Sequence, residues 1–420
     1  MRNIIIGFVF LMPFISTAQS YMYLRPERIF DGEIMHEKWG VLIKDNKIEL
    51  VDNQSVIEKN LPKGTQTIDL KNATLLPGLI EGHSHLLLHP YNETSWDDQV
   101  LKEPRAMRVA RATVHAARTL EAGFTTVRDL GTEGADYDDV GLKMAIEKGV
   151  ILGPRIIAAT RALIATGSYA PKGFSPDIEV PQGAEEADGY DPIVKAVRTQ
   201  IGKGADIIKI YADYRWGLYS EARPTYSLDE ISLIVNTAKS SGRSVTAHAT
   251  TPEGMRRSIL GGCETLEHGD AGTPEIFQLM ASKNVCLCPT LAAGDAVSQY
   301  RGWKKGVDPE PERIKNKRLT FKQALDAKVP ICFGGDVGVF AHGDNARELE
   351  MMVDYGMKPL DVLKSATSIN ADFFHVADRV GRLKIGLLAD IIAVEGNPVL
   401  DIKNIRKVVL VIKDGKNLKK

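Results

Sequence analysis

The chain carries eight short apolar runs, each separated from the next by loops and stretches of helical period. The runs are Leu75–His85, Thr125–Leu130, Arg155–Thr160, Ile207–Tyr211, Ser244–Ala249, Glu264–His268, Val285–Pro289 and Ile331–Asp336. They are apolar on both faces, as parallel strands covered on both sides must be. Helical stretches are clearest at Arg105 to Ala122, Leu228 to Ser240 and Arg313 to Ala327. Eight such runs joined by helices predict an α/β fold, a (β/α)8 TIM barrel rather than an open sheet. A chain of 420 residues has room for that barrel and a small second domain.

The second domain is expected from the two ends. Val41–Lys44 and Lys47–Val51 flank the turn residues Asp45–Asn46, a hairpin signal. Asp390–Val394 and Lys407–Ile412 read as further strands. Chain ends often lie close together, so 19–76 plus 377–420 are expected to form one β-sandwich, with the barrel at 77–376. The connection 161–205 follows the third run and reads as a long functional loop.

The N-terminus has Arg2, an apolar run from Ile4 to Ile15, and the small residues Ser16–Thr17–Ala18. This is the pattern of a secretory signal peptide, residues 1–18, cleaved before Gln19. The apolar run is short for a bilayer span, so the mature chain is expected to be exported, periplasmic or secreted, with no stable membrane span. Lys+Arg number 53 and Asp+Glu 54, giving a formal net charge of −1. That leaves no basic field to attract nucleic acid or anionic lipid. Export permits disulfides. However, Cys263, Cys286, Cys288 and Cys332 lie in or beside buried runs, so apolar packing is the expectation for all four. Cys286–Leu287–Cys288 has no second cysteine cluster to complete a tetrahedral metal site.

Barrel active sites sit at the C-terminal ends of the strands. Here those ends carry His83–Ser84–His85, Lys209 and Tyr211, His248, His268 and Asp336. Two histidines at i and i+2 of a strand share a face and can bind one metal. Imidazole and carboxylate suit Zn²⁺ and similar ions, with manganese, iron and cobalt as alternatives. A lysine inside an apolar strand is costly unless paired or modified. Carboxylation by CO2 would turn Lys209 into an anionic donor able to bridge two metals. Two such ions can hold a hydroxide at neutral pH and polarise a carbonyl. Asp336 could then move the proton from water to the leaving group. Each residue alone has a bland reading: a satisfied core histidine, a snorkelling lysine, a helix-capping aspartate. The coincidence of six on five strand ends favours a metal site.

Further candidates are weaker. Tyr211 faces the same way as Lys209 and could donate to an oxyanion. His342, His89, Arg161 and Tyr169 are candidate substrate contacts from their loop positions. His36, His115 and His375 lie outside strand ends and read as structural. The run Glu185–Glu186–Ala187–Asp188 reads as a solvated loop, and Met351–Met352 as helix core.

The stretch Pro77–Gly78–Leu79–Ile80–Glu81–Gly82–His83–Ser84–His85 and the terminal Gly386–Leu387–Leu388–Ala389–Asp390–Ile391 resemble the amidohydrolase superfamily. Gly343–Asp344–Asn345 with Glu348–Leu349 resembles its imidazolonepropionase/prolidase-like branch with a carboxylated lysine. That branch includes Xaa-Pro or Xaa-Arg/Lys dipeptidases and ochratoxin hydrolases. The resemblance implies two divalent metal ions, zinc by default. His83, His85 and Asp336 would hold one, His248 and His268 the other, with carboxylated Lys209 between. It also implies hydrolysis of an amide C–N bond in a small peptide or N-acyl amino acid, with Asp336 as proton shuttle. Lactone, cyclic amide or phosphotriester hydrolysis at the same site is the alternative. A non-catalytic binding protein is disfavoured, because no ligand is missing. Homo-oligomers are common for such barrels.

Overall fold

The computed structural model describes residues 20–418, so the expected signal peptide at 1–18 lies outside the described residues. Among the described residues, no helix is long and apolar enough to cross a membrane.

Two parallel ladders form the centre. One joins Leu79–Ser84, Phe124–Asp129 and Arg155–Ala158. The other runs in the order Glu185–Glu186, Leu163–Ile164, Ile208–Tyr211, Val245–Ala249, Thr265–His268, Cys286–Cys288. The ladders meet where the Asp206 amide donates to the Ala158 carbonyl at 2.8 Å. At the other seam lies the segment expected as an eighth strand, Ile331–Asp336. It forms no ladder. Isolated parallel bridges tie Ile331 to Leu287 and Val337 to Ser84.

The reason is local. A Cβ on Gly334 would sit 2.5 Å from Cys288 Sγ and 2.7 Å from the His83 nitrogen, so only glycine permits the close approach. Asp336, with φ 62°, then turns the chain out of β geometry.

The expected helices form at Arg105–Glu121, Leu228–Lys239 and Glu312–Asp326. The second shows how its sequence specifies it. Ser227 caps the Glu230 amide while the Glu230 carboxylate accepts from the Ser227 amide. Ile231, Ile234, Val235 and Ala238 then fall on one buried face.

The connection 161–205 is less irregular than expected. It contains two short strands and the helix Tyr190–Lys203, which buries Ile193, Ala196, Val197 and Gln200 at helical spacing. A hairpin of Asp213–Arg215 and Ala222–Pro224 follows the Ile208–Tyr211 strand.

Both terminal segments contribute to one continuous eight-stranded sheet, where the sequence suggested a sandwich of two. Its path is Lys416–Asn417, Val408–Lys413, Ile391–Glu395, Gln66–Pro77, Tyr21–Phe30, Trp39–Lys44, Lys47–Asn53, with Met35–Glu37 pairing on Tyr21–Phe30. The last two strands of that path make the expected hairpin, with Asp45 at φ 54° in its turn.

The cysteines need one correction. Cys286 and Cys332 form a disulfide, with Cα atoms 5.9 Å apart. The two residues face each other only because Leu287 and Ile331 bridge the seam, a pairing that spacing does not reveal. Cys263 and Cys288 are free and buried, packed as expected.

The bridge closes a loop with a sequence separation of 46 across a seam held by an isolated β-bridge. Replacing both residues, Cys286→Ala with Cys332→Ala, is expected to lower the unfolding free energy by about 2–4 kcal/mol in a urea titration. An unchanged midpoint would show that the disulfide contributes nothing to closing this seam.

Candidate metal centre

A cavity of about 580 Å³ opens at the C-terminal ends of the parallel strands. His83, His85, His248, His268 and Asp336 all line it. Ligand atoms of His83, His268 and Asp336 lie within 4.8 Å of one another. Asp336 Oδ1 is 3.3 Å from His85 Nε2 and 3.6 Å from His83 Nε2. The His248 and His268 rings are 4.5 Å apart between centroids. His268 takes φ 75° and Asp336 φ 62°, so both strand ends hold a non-glycine residue in the left-handed region. Backbone strain of this kind persists where the surroundings over-determine it, and it clusters at functional sites.

The outward nitrogens of three of these rings are already engaged. His83 Nδ1 meets Glu267 Oε2 at 2.8 Å, His85 Nδ1 meets the Gly131 carbonyl at 2.9 Å, and His268 Nδ1 meets Thr290 Oγ1 at 2.8 Å. Each therefore leaves Nε2 for the cavity. His248 Nε2 lies 3.7 Å from Asp213, beyond hydrogen-bond distance, so that ring is not held in this way. Locking one ring nitrogen to fix the other is how proteins orient metal-binding histidines.

Glu267 is fully buried and does more than hold His83. Its other oxygen accepts from Arg128 Nη2 at 2.6 Å and Thr246 Oγ1 at 2.6 Å. Glu81, also fully buried, accepts from the His83 and Gly335 amides and from Asn345 Nδ2. One carboxylate thus ties the first strand to the eighth segment beside Asp336.

The electrostatics suit cation binding. Burial pushes His83 down to about 4 and His248 to about 3, and holds His268 well below the usual histidine range. These rings are neutral at pH 7, the state a metal requires. Burial works against the charge on Asp336, yet His83 and His85 pull its carboxyl to about 2. Burial likewise opposes the charge on His85, but the Asp336 contact outweighs it and raises His85 to about 9. That pair attracts a proton between its two atoms, as two ligands of one cation attract the cation.

Lys209 is buried beside them, and burial pulls its ammonium below the usual range. Among the described residues it has no carboxylate partner at salt-bridge distance. Its Nζ sits 5.6 Å from the Tyr211 ring centroid. Four imidazoles, an ionised carboxylate and an unpaired buried lysine form a donor set that fits divalent cations.

Tyr169 and Tyr211 line the cavity as expected. Both hydroxyls donate to Glu133, Tyr169 at 2.5 Å and Tyr211 at 3.3 Å, and Trp96 Nε1 donates to it at 2.9 Å. Three other candidates do not reach the cavity. His342 is buried, stacked on His115 with ring centroids 4.2 Å apart. His89 lies between Glu93 and Glu103, at 3.0 Å from each. Arg161 points to Glu185 and Asp136. Two glutamates hold His89 and acidic neighbours draw Arg161 aside, while His342 bonds the Leu88 carbonyl through Nε2 and leaves Nδ1 buried without a hydrogen-bond partner among the described residues.

Sequence reading missed Glu133, Glu267 and Arg128. Glu267 stood beside His268 and could have been suspected, because a buried carboxylate needs a partner. Arg128 in an apolar strand carried the matching signal.

The chain has clear relatives. The Amidohydrolase family profile matches residues 74–418. The ochratoxinase of Aspergillus niger is 29% identical over 400 residues, covering 89% of this chain and 80% of that protein. A crystal structure of a Xaa-Pro dipeptidase with bound methionine superposes with TM-score 0.82 at 32% identity, covering 96% of this chain and 100% of that one. The crystal structure of A. niger ochratoxinase gives TM-score 0.80 at 26% identity, covering 96% of each chain. A prolidase complexed with N-methylphosphonate-L-proline gives 0.81 at 28%, covering 96% of this chain and 100% of that one. The chain belongs to the amidohydrolase family and is a hydrolase acting on carbon–nitrogen bonds.

Proposed function

We propose that this hydrolase is metal-dependent and cleaves the amide bond of a small peptide or N-acyl amino acid. The observation that carries the reading is the convergence of His83, His268 and Asp336 within 4.8 Å, with the remote ring nitrogens already fixed. His83, His85 and Asp336 would hold one divalent ion and His248 and His268 a second, with Lys209, once carboxylated, as a further oxygen donor. Zinc is the default for this donor set, and such ions supply Lewis acidity and acidify water.

The chain's own residues do the rest. Asp336, ionised at neutral pH, accepts the proton of the attacking water at Oδ1 and returns it to the departing nitrogen. The Tyr211 hydroxyl, which donates to Glu133 over a long 3.3 Å contact, is assigned to turn from it and donate to the carbonyl oxygen. The relatives that hold methionine and a phosphonate analogue of proline support an amino-acid derivative as substrate.

The cyclic order of the parallel segments supports a (β/α)8 barrel spanning 77–376, with 19–76 and 377–420 as the sheet domain. We further propose export through residues 1–18. N-terminal sequencing of the mature protein should then begin at Gln19, and an intact Met1 would refute cleavage.

Asp336→Asn should lower kcat/KM on a dipeptide panel by about 10²–10⁴-fold. His83→Ala and Lys209→Ala should each lose bound metal in elemental analysis. Full metal content with full turnover in either variant would overturn the site assignment. Glu267→Gln leaves the cavity lining untouched but frees the His83 ring. It should weaken metal binding by about 10–100-fold in a chelator competition. Unchanged affinity would show that Glu267 serves only the fold.

A further inference from the structure

Three arginines line the same cavity, and the mechanism uses none of them. Arg215 ends the first strand of the hairpin Asp213–Arg215 and Ala222–Pro224. Arg301 caps the helix Leu291–Tyr300, and Arg313 lies in the helix Glu312–Asp326. None of the three guanidiniums has an ion pair or a hydrogen bond among the described residues.

The carboxylates that share the cavity are all engaged elsewhere. Glu133 accepts from Tyr169, Trp96 and Tyr211. Asp270 is paired with Lys317 at 2.5 Å. Asp336 faces His83 and His85. Asp295, within the cavity-lining helix Leu291–Tyr300, is taken by Arg347 and Lys305. Among the described residues, the other lysine or arginine lining this cavity, Lys317, is matched by Asp270, and these three solvent-exposed arginines carry no ion pair.

Space is reserved beside them. Gly294 and Ala293 line the cavity next to Val297. A Cβ on Gly294 would lie 3.8 Å from Arg313 Nε and Nη2, so the guanidinium spreads along the small-residue face of that helix. A guanidinium fork matches a carboxylate through two parallel hydrogen bonds. One bidentate fork takes both oxygens of a carboxylate, so three unpaired forks on separate elements can serve more than one anion. The peptide or N-acyl amino acid argued above already brings one α-carboxylate.

Resting on that reading of the reaction, we infer that the cavity selects substrates with two carboxylates, an acidic side chain beside the α-carboxylate. Arg301, Arg313 and Arg215 are the specificity-determining residues. The charges also raise the local concentration of such anions at the mouth, so the preference weakens as salt rises.

The test compares probes that differ by one charge. Metal-loaded enzyme is assayed on Ala-Glu against Ala-Gln. The binding of glutarate against glutaramate, its mono-amide, is measured by calorimetry. Wild type should favour the dicarboxylate at least about tenfold in both pairs, the scale of one charge-assisted hydrogen bond. Arg313→Met and Arg301→Met should shrink that ratio below about threefold. Equal handling of both members of each pair by the wild type, or no binding of glutarate at all, overturns the arginine assignment without any variant. Should glutarate win in binding while neither dipeptide is cleaved, the arginine assignment stands and the peptide-hydrolysis reading falls.

Discussion

The site depends on a carboxylate that never touches solvent. Glu267 sits at the end of the strand that also carries His268, and Arg128 from a neighbouring ladder reaches it at 2.6 Å. Burial alone would raise its pKa, but the Arg128 charge reverses that and holds it well below the usual carboxylate range. The ionised carboxylate then fixes the His83 ring through Nδ1. Removing one member of a buried pair leaves an uncompensated charge, at about 3–5 kcal/mol. The orientation of one ligand is therefore coupled to the stability of the whole strand arrangement. The Arg128 side chain is sealed by the Phe374 ring at 4.0 Å, so a residue far along the chain completes the insulation.

The same economy appears at the seam. The segment before Asp336 lacks a ladder, yet Asp336 must hold its place within a few tenths of an ångström. Three features compensate. Gly334 admits close approach to the first strand, Glu81 gathers the His83 and Gly335 amides, and the Cys286–Cys332 bridge ties the segment to its other neighbour. There the backbone turns to φ 62° and presents the Asp336 carboxylate to His83 and His85.

Much of this was legible in the sequence because strand ends are legible. Alternation of apolar runs and helical stretches located His83, His85, Lys209, His248, His268 and Asp336, and five of these line one cavity while Lys209 lies buried beside them. Residues whose role depends on a distant partner were not legible. His342 and His89 have the loop positions of substrate contacts, yet His342 stacks on His115 and His89 is held between two glutamates. The disulfide depended on a seam contact with no local signature. The helix Tyr190–Lys203 was hidden by the glycine and acidic residues around it, although its buried residues keep helical spacing.

The converging histidines, Asp336 and Lys209 are proposed to bind two catalytic cations. Protein stripped with a chelator and titrated with Zn²⁺ reports on that binding directly. Two equivalents should bind per chain, and dipeptide hydrolysis should return in step with them. Stripped protein that binds no zinc while keeping its full activity would contradict the account.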